Sequence, residues 1–221
     1  MERFRRAALL IVLLTIPVLA YVPRRVITPA GVAFEKWADS AFPITWRLSS
    51  APRGANIAGS RALADVARAA FASWAGVTTA NVSFAEGAAA DSTAAALDGV
   101  NLVAFAPASF SGGDAASVTI LYSYSTVGTD PLGRAVLFPG QILEADILFN
   151  LNAPFTSDAA PTPGRIDLES RLRHEIGHLL GLDHSGLLSA MMYPALEPGL
   201  IRSLSLDDEI GLSLLLSLIH I

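Results

Sequence analysis

The stretch His174-Glu175-Ile176-Gly177-His178-Leu179-Leu180-Gly181-Leu182-Asp183-His184 decides how the chain is read. Its form is H-E-x-x-H-x-x-G-x-x-H. On a helix, His174 and His178 project from one face, one turn apart. Two imidazoles at that spacing can hold one zinc ion. Glu175 follows the first of them, where a carboxylate can reach a metal-activated water and take its proton. Gly181 can adopt the left-handed conformation that ends a helix at little cost. The chain can then turn and deliver His184 as a third ligand. Three protein ligands leave a fourth position open, which marks a catalytic zinc site rather than a structural one. One catalytic Zn2+ is therefore expected.

Working outward, Asp167 is a good N-cap for a helix over about 168–180, with Leu172, Ile176, Leu179 and Leu180 on its buried face. An irregular stretch with Met191-Met192-Tyr193-Pro194 follows His184. Ser205 then opens a last helix, with Asp208 placed for a capping pair and a stripe of Leu206, Ile210, Leu214 and Leu218. Upstream, residues 60–75 show helical period through Leu63, Val66, Ala70, Phe71 and Trp74, closed by Gly76. Ile44–Leu48, Val82–Phe84 and Val100–Phe105 read as strands. After Gly112-Gly113-Asp114, the residues Val118, Ile120, Tyr122 and Tyr124 alternate with others, several of them small and polar. Ala135–Phe138 and Ile142–Asn150 read as a hairpin around Pro139-Gly140. Residues 87–98, 125–134 and 151–166 read as loops. Strands come first and helices after, which gives an α+β fold in one domain.

The formal net charge is −5 in 221 residues. That argues against nucleic acid as a partner, since phosphate binding needs a basic face. There are no cysteines, hence no disulfides and no thiolate ligands. Residues 1–20 read as a signal peptide: Arg3, Arg5 and Arg6 precede an apolar run, and Val18-Leu19-Ala20 is a small-residue cleavage site. The run is short of the about 20 apolar residues that a transmembrane helix needs. A secreted, extracellular protein is expected, with membrane attachment only if this segment stays uncleaved. Residues 21–42 read as a linker or short arm, and 43–221 as the catalytic domain.

The third histidine followed by a methionine turn resembles the metzincin metallopeptidases, and the details resemble the matrixins, the matrix metalloproteinase family. Gly181-Leu182-Asp183-His184-Ser185 matches the matrixin G-L-D-H-S. Ala190-Met191-Met192-Tyr193-Pro194 is similar to A-L-M-Y-P, which makes Met192 the Met-turn residue. Leu204-Ser205-Leu206-Asp207-Asp208-Glu209-Ile210-Gly211 is similar to the start of the family's last helix. Phe71-Ala72-Ser73-Trp74 resembles the end of its first helix, and Ala145–Asn150 its last strand. The resemblance covers about residues 43–216.

The resemblance implies a metzincin, zincin-like fold: a twisted, mostly parallel five-stranded sheet with one antiparallel edge strand, plus three helices. Residues 117–124 and 134–138 are both candidates for that edge strand, along which a peptide substrate would lie. It implies that Met192 forms an apolar floor under the metal and that Pro194, Ala195 and Leu196 wall a substrate pocket. Asp207 and Asp208 would cap the last helix and tie the Met-turn or the N-terminus of the mature chain. The sequence also departs from the family. With no cysteine, the usual cysteine that caps the zinc is missing. His220 is the one histidine outside the motif, so the family's structural zinc site is absent. Ca2+ binding through Asp130, Asp146 or Asp158 stays open.

The expected activity is zinc-dependent hydrolysis of peptide bonds, with Glu175 as general base and a peptide or protein as substrate, by a monomer. Two other readings are a non-catalytic secreted protein that keeps zinc for structure and a metzincin of another subgroup. The first leaves Glu175 without a purpose. The astacin-like subgroup prefers glutamate where this chain has Ser185.

Overall fold

Alternating β-branched, aromatic and small residues build the sheet that carries the site. In the computed structural model, residues 20–51, 54, 56–106 and 115–217 are described. The sheet has six strands: β1 (Lys36–Trp37), β2 (Ile44–Leu48), β3 (Phe84–Glu86), β4 (Asn101–Ala106), β5 (Ser117–Tyr124) and β6 (Gln141–Asn150). β6 is the hub. It runs parallel to β1 through Gln141 and Ile142 and parallel to β4 through Ile147–Asn150. β4, β2 and β3 continue the sheet in parallel. β5 lies antiparallel along β6, from Gln141↔Tyr124 to Phe149↔Ser117, and is the edge strand. β6 is buried almost throughout, as expected of a strand covered on both faces.

The period of two along the strands sorts side chains onto the two faces. Val103, Phe105, Ala145, Ile147 and Phe149 join the main core beneath the helices. Leu102, Ala104, Ala106 and Leu148 form a smaller cluster with Val118 and Ile120 against it. Three helices are seen among the described residues: α1 (Leu63–Ala75), α2 (Leu168–Leu179) and α3 (Leu206–Leu215). α1 buries Val66, Ala67, Ala70, Phe71 and Trp74, the stripe read from its period with Ala67 added and Leu63 only partly buried. Phe71 stacks on Trp46 with centroids 4.6 Å apart, and Trp74 Nε1 donates to the Arg173 carbonyl of α2 at 2.8 Å. The architecture is the mixed sheet with three helices that the resemblance implied, with one strand more.

That extra strand comes from residues 21–42. The segment is folded: Val22–Pro23 pairs with Leu182–Asp183, Arg25–Thr28 pairs with Gly31–Phe34, and β1 joins the main sheet. Trp37 is buried and its Nε1 donates to the Leu179 carbonyl at 2.8 Å. It is an arm fastened at both ends, with a largely exposed hairpin between them.

Two other expectations are corrected, and one choice left open is decided. Ala135–Phe138 does not pair with β6 in a hairpin; Ala135–Val136 pairs with Gly128–Thr129, within what was read as loop. Gly140 has φ +90°, and its backbone meets Phe34 so closely that a Cβ would lie 2.2 Å from the Phe34 carbonyl oxygen. The Pro139-Gly140 turn therefore docks on the arm instead of closing a hairpin. The choice of edge strand goes to 117–124. On α3, Leu206 and Leu214 are exposed and the buried side is Asp207, Asp208, Gly211, Leu212 and Leu215. The two aspartates turn that side inward because they accept backbone N–H groups from neighbouring segments. Leu218 and His220, the leader up to Leu19, and Gly112-Gly113-Asp114 lie outside the described residues.

Candidate metal centre

α2 opens where expected: Asp167 accepts the Ser170 N–H at 2.7 Å as N-cap, and Leu172, Ile176, Leu179 and Leu180 are buried. The helix carries His174, Glu175 and His178 into the interior. It ends at Gly181, whose φ is +98°. Any Cβ there would sit 2.2 Å from the Glu35 carbonyl oxygen, so the turn needs glycine on two counts. Leu182–Asp183 then pairs with the arm, and His184 follows, exposed, facing the two helical histidines.

One donor nitrogen from each of His174, His178 and His184 lies within 4.8 Å of the other two. The Nε2 atoms of His174 and His178 are 3.1 Å apart. His174 Nδ1 lies 2.8 Å from the Met191 carbonyl, and His178 Nδ1 lies 2.8 Å from the Leu182 carbonyl. A carbonyl only accepts, so each Nδ1 carries the proton and each Nε2 presents a lone pair. Burial pushes His174 down to about 3 and outweighs the attraction of Glu175; burial likewise lowers His178. Both rings are neutral at pH 7, as metal ligation requires. Three converging imidazoles fit a zinc ion.

Glu175 is buried beside them. Ser117 Oγ donates to its Oε1 at 2.6 Å, Thr119 Oγ1 donates to its Oε2 at 2.6 Å, and Arg171 Nη2 lies 3.3 Å from Oε1. Burial opposes ionisation of this carboxyl, but the Arg171 guanidinium, with the Ser117 hydroxyl, overcomes it and holds it below the ordinary range. Ser117, Thr119 and Arg171 were not singled out from the sequence. Arg171 stands one helical turn before Glu175, and Ser117 and Thr119 share one face of β5. That face was legible as the polar alternate of the Val118–Ile120 row, but not that it meets α2.

Met192 is buried directly against α2: a Cβ on Gly177 would lie 2.2 Å from its sulfur. The unassigned x before His178 is thus a glycine that admits the methionine. Asp208 accepts the N–H groups of Met191 and Met192 at 2.8 and 3.0 Å and closes the capping box with Ser205. Asp207 accepts from Ser185 Oγ and from the backbone N–H groups of Ala20 and Tyr21. Pro194 and Ala195 are exposed and Leu196 half-buried. The Ala195 carbonyl accepts from Arg202 Nη1 at 3.0 Å, and Arg202 lies over the Tyr193 ring. The three aspartates considered for calcium stand apart with protein donors: Asp130 with Arg134, Asp146 with the N–H groups of Ala96 and Leu102, and Asp158 with Ser60.

A profile of the family described as matrixin matches residues 127–216. Over these residues, less than half of its length, the chain is similar to the matrixin family. Its sequence is similar to Metalloendoproteinase 1-MMP of Arabidopsis thaliana, 55% identical over 47 residues, which are 21% of this chain and 13% of that protein. Metalloendoproteinase 1 of Glycine max is 48% identical over 54 residues, 24% of this chain and 18% of that protein. Karilysin of Tannerella forsythia is 54% identical over 43 residues, 20% of this chain and 9% of that protein. The matched stretches span less than a fifth of these relatives' own lengths. Matrixins are zinc enzymes, and in this chain the three histidines are the group among the described residues able to hold a metal.

Proposed function

We propose that this chain is a matrixin and a zinc-dependent endopeptidase, with His174, His178 and His184 as zinc ligands and Glu175 as general base. The observation that carries the reading is the convergence of three histidine nitrogens beside a buried, ionised carboxylate. Bound zinc supplies a Lewis acid that polarises the scissile carbonyl and acidifies the attacking water. Glu175 accepts that water's proton and returns it to the leaving amine. β5 offers an open backbone edge for an extended peptide to lie along. Met192 backs the ligand helix, and Pro194, Ala195 and Leu196 wall the pocket for the residue after the cleaved bond. A structural zinc protein would have no use for Glu175 held in this way.

The test is Glu175→Ala, with zinc content measured alongside cleavage of a peptide library. The variant should keep its zinc and lose roughly 10²–10⁴-fold in turnover, the usual share of a general base. Cleavage at the parent's rate would remove Glu175 from the mechanism. The library also reads the pocket, where Ala195 and Leu196 favour an apolar residue. Export rests on the pattern of residues 1–20, and the intact mass of the exported protein tests it: a product still starting at Met1 would refute cleavage. Among the described residues no helix is long and apolar enough to cross a membrane.

A further inference from the structure

We propose that Arg171 is a positioning residue for the carboxylate of Glu175, acting through a three-membered bridge with Ser117. The inference rests on the peptidase reading above. Arg171 Nε donates to Ser117 Oγ, Ser117 Oγ donates to Glu175 Oε1 at 2.6 Å, and Arg171 Nη2 reaches the same oxygen at 3.3 Å. The side chains are 13% and 2% exposed, so the pair is withdrawn from water. Helix geometry alone does not account for it. An acid preceding a base by four residues is the favourable order on a helix, and here the base comes first. What closes the triangle is Ser117, supplied by the edge strand.

The consequence is orientation. A carboxylate held by one hydroxyl can still swing about its terminal torsion. Here Oε1 is fixed by the guanidinium and Ser117, and Oε2 by Thr119 from two residues along the same strand. The planar guanidinium contributes fixed direction as well as charge. A base that must meet a water and then a leaving amine gains rate from being held in place. The bridge also ties α2, which carries the ligands, to the strand along which the substrate is proposed to lie.

The test pairs kinetics with unfolding. Arg171→Met should lower kcat by about 10-fold or more, the usual scale for a supporting partner of an active group. KM and zinc content should stay at the parent's values, and Arg171→Lys should recover part of the loss. A plain structural ion pair would lower the unfolding midpoint and leave kcat per zinc-loaded molecule unchanged. A substrate contact would raise KM instead. Either result overturns the proposal. A double-mutant cycle with Glu175→Gln, followed by urea unfolding, reads the pairing without any turnover. Non-additive effects support it and additive effects refute it. If Glu175→Gln cleaves like the parent, the peptidase mechanism fails, whatever the cycle gives. If Glu175→Gln is inactive while Arg171→Met is fully active, only the role of Arg171 fails.

Discussion

His174 and His178 stand on a helix; His184 stands on a loop. The helix sets the first two by its own backbone hydrogen bonds, and each ring is oriented by a carbonyl nearby. The third has no such local frame. It is placed by contacts from far away in the chain: Val22–Pro23 pairs with Leu182–Asp183, the Arg24 N–H donates to the Gly181 carbonyl, and Ser185 is held by Asp207 and Met192. Asp207 in turn holds the N–H of Ala20, 187 positions away. The proposed metal site is thus organised in two ways. The helical half is built by local sequence; the loop half is built by packing of the N-terminal arm and α3.

The sharpest way to separate the halves is to remove one ligand from each. His178→Ala and His184→Ala should both abolish tight zinc binding, by more than the about 10–100-fold typical of losing an outer partner. They should differ in the metal-free fold. His178 is buried, and its loss leaves the Leu182 carbonyl unpaired, costing about 1–3 kcal/mol. His184 is exposed, and its loss should leave urea unfolding of the metal-free chain unchanged. Equal destabilisation by the two would erase the distinction.

Two glycines probe the same contrast with smaller effects. Gly181→Ala forces a side chain into φ +98° and against the Glu35 carbonyl oxygen, where the backbone cannot yield cheaply. A loss of about 3 kcal/mol is expected from strain and clash together. Zinc binding should weaken with it, since the turn delivers His184. Gly177→Ala lies inside α2, where alanine ordinarily adds about 1 kcal/mol of helix stability. Here its Cβ meets the Met192 sulfur and the Trp74 ring, and overpacking of about 1–3 kcal/mol should reverse the sign. Urea unfolding measures both. A stabilised Gly177→Ala would show that Met192 yields freely and that the Met-turn does not press on the helix.

The contrast also explains what was legible beforehand. The ligands, the cap at Asp167, the capping box at Ser205 and Asp208, and the α1 stripe are short-range patterns, and a linear sequence carries them in full. The role of residues 21–42 is not of that kind. Proline and glycine there signal a break in regular structure, while the pairing partners, Leu182–Asp183 and Gln141–Ile142, lie more than a hundred residues on. The hairpin at Pro139-Gly140 failed for the same reason: turn chemistry was read correctly, but Phe34 decides where that turn packs. On α3 the apolar stripe misled because two buried aspartates, satisfied by distant N–H groups, outweigh leucines that can stay exposed.

Acid offers the finest test, because buried groups of opposite sign share this fold. Glu175 is held below the ordinary carboxylate range, so the interval from pH 7.5 to 5 lies above its titration. In the metal-free chain, His174 is held near 3 and His178 is also lowered by burial. The unfolded chain therefore binds more protons below about pH 6.5, and stability falls as acid is added. Asp146 works the other way. Burial raises it to about 7, against the pull of the Leu102 and Ala96 N–H groups, with Glu144 and Asp98 adding repulsion. The folded chain then binds the extra proton between about 4 and 7, so this share of stability grows as pH falls and is lost as pH rises through 7. Each group can contribute a slope of at most about 1.4 kcal/mol per pH unit. Unfolding midpoints should therefore drop more steeply with acid in Asp146→Asn than in the parent. In His178→Ala, which removes one of the two buried imidazoles, they should drop less steeply. If the three profiles run parallel, the burial of the helical histidines is not what sets the acid response of the fold.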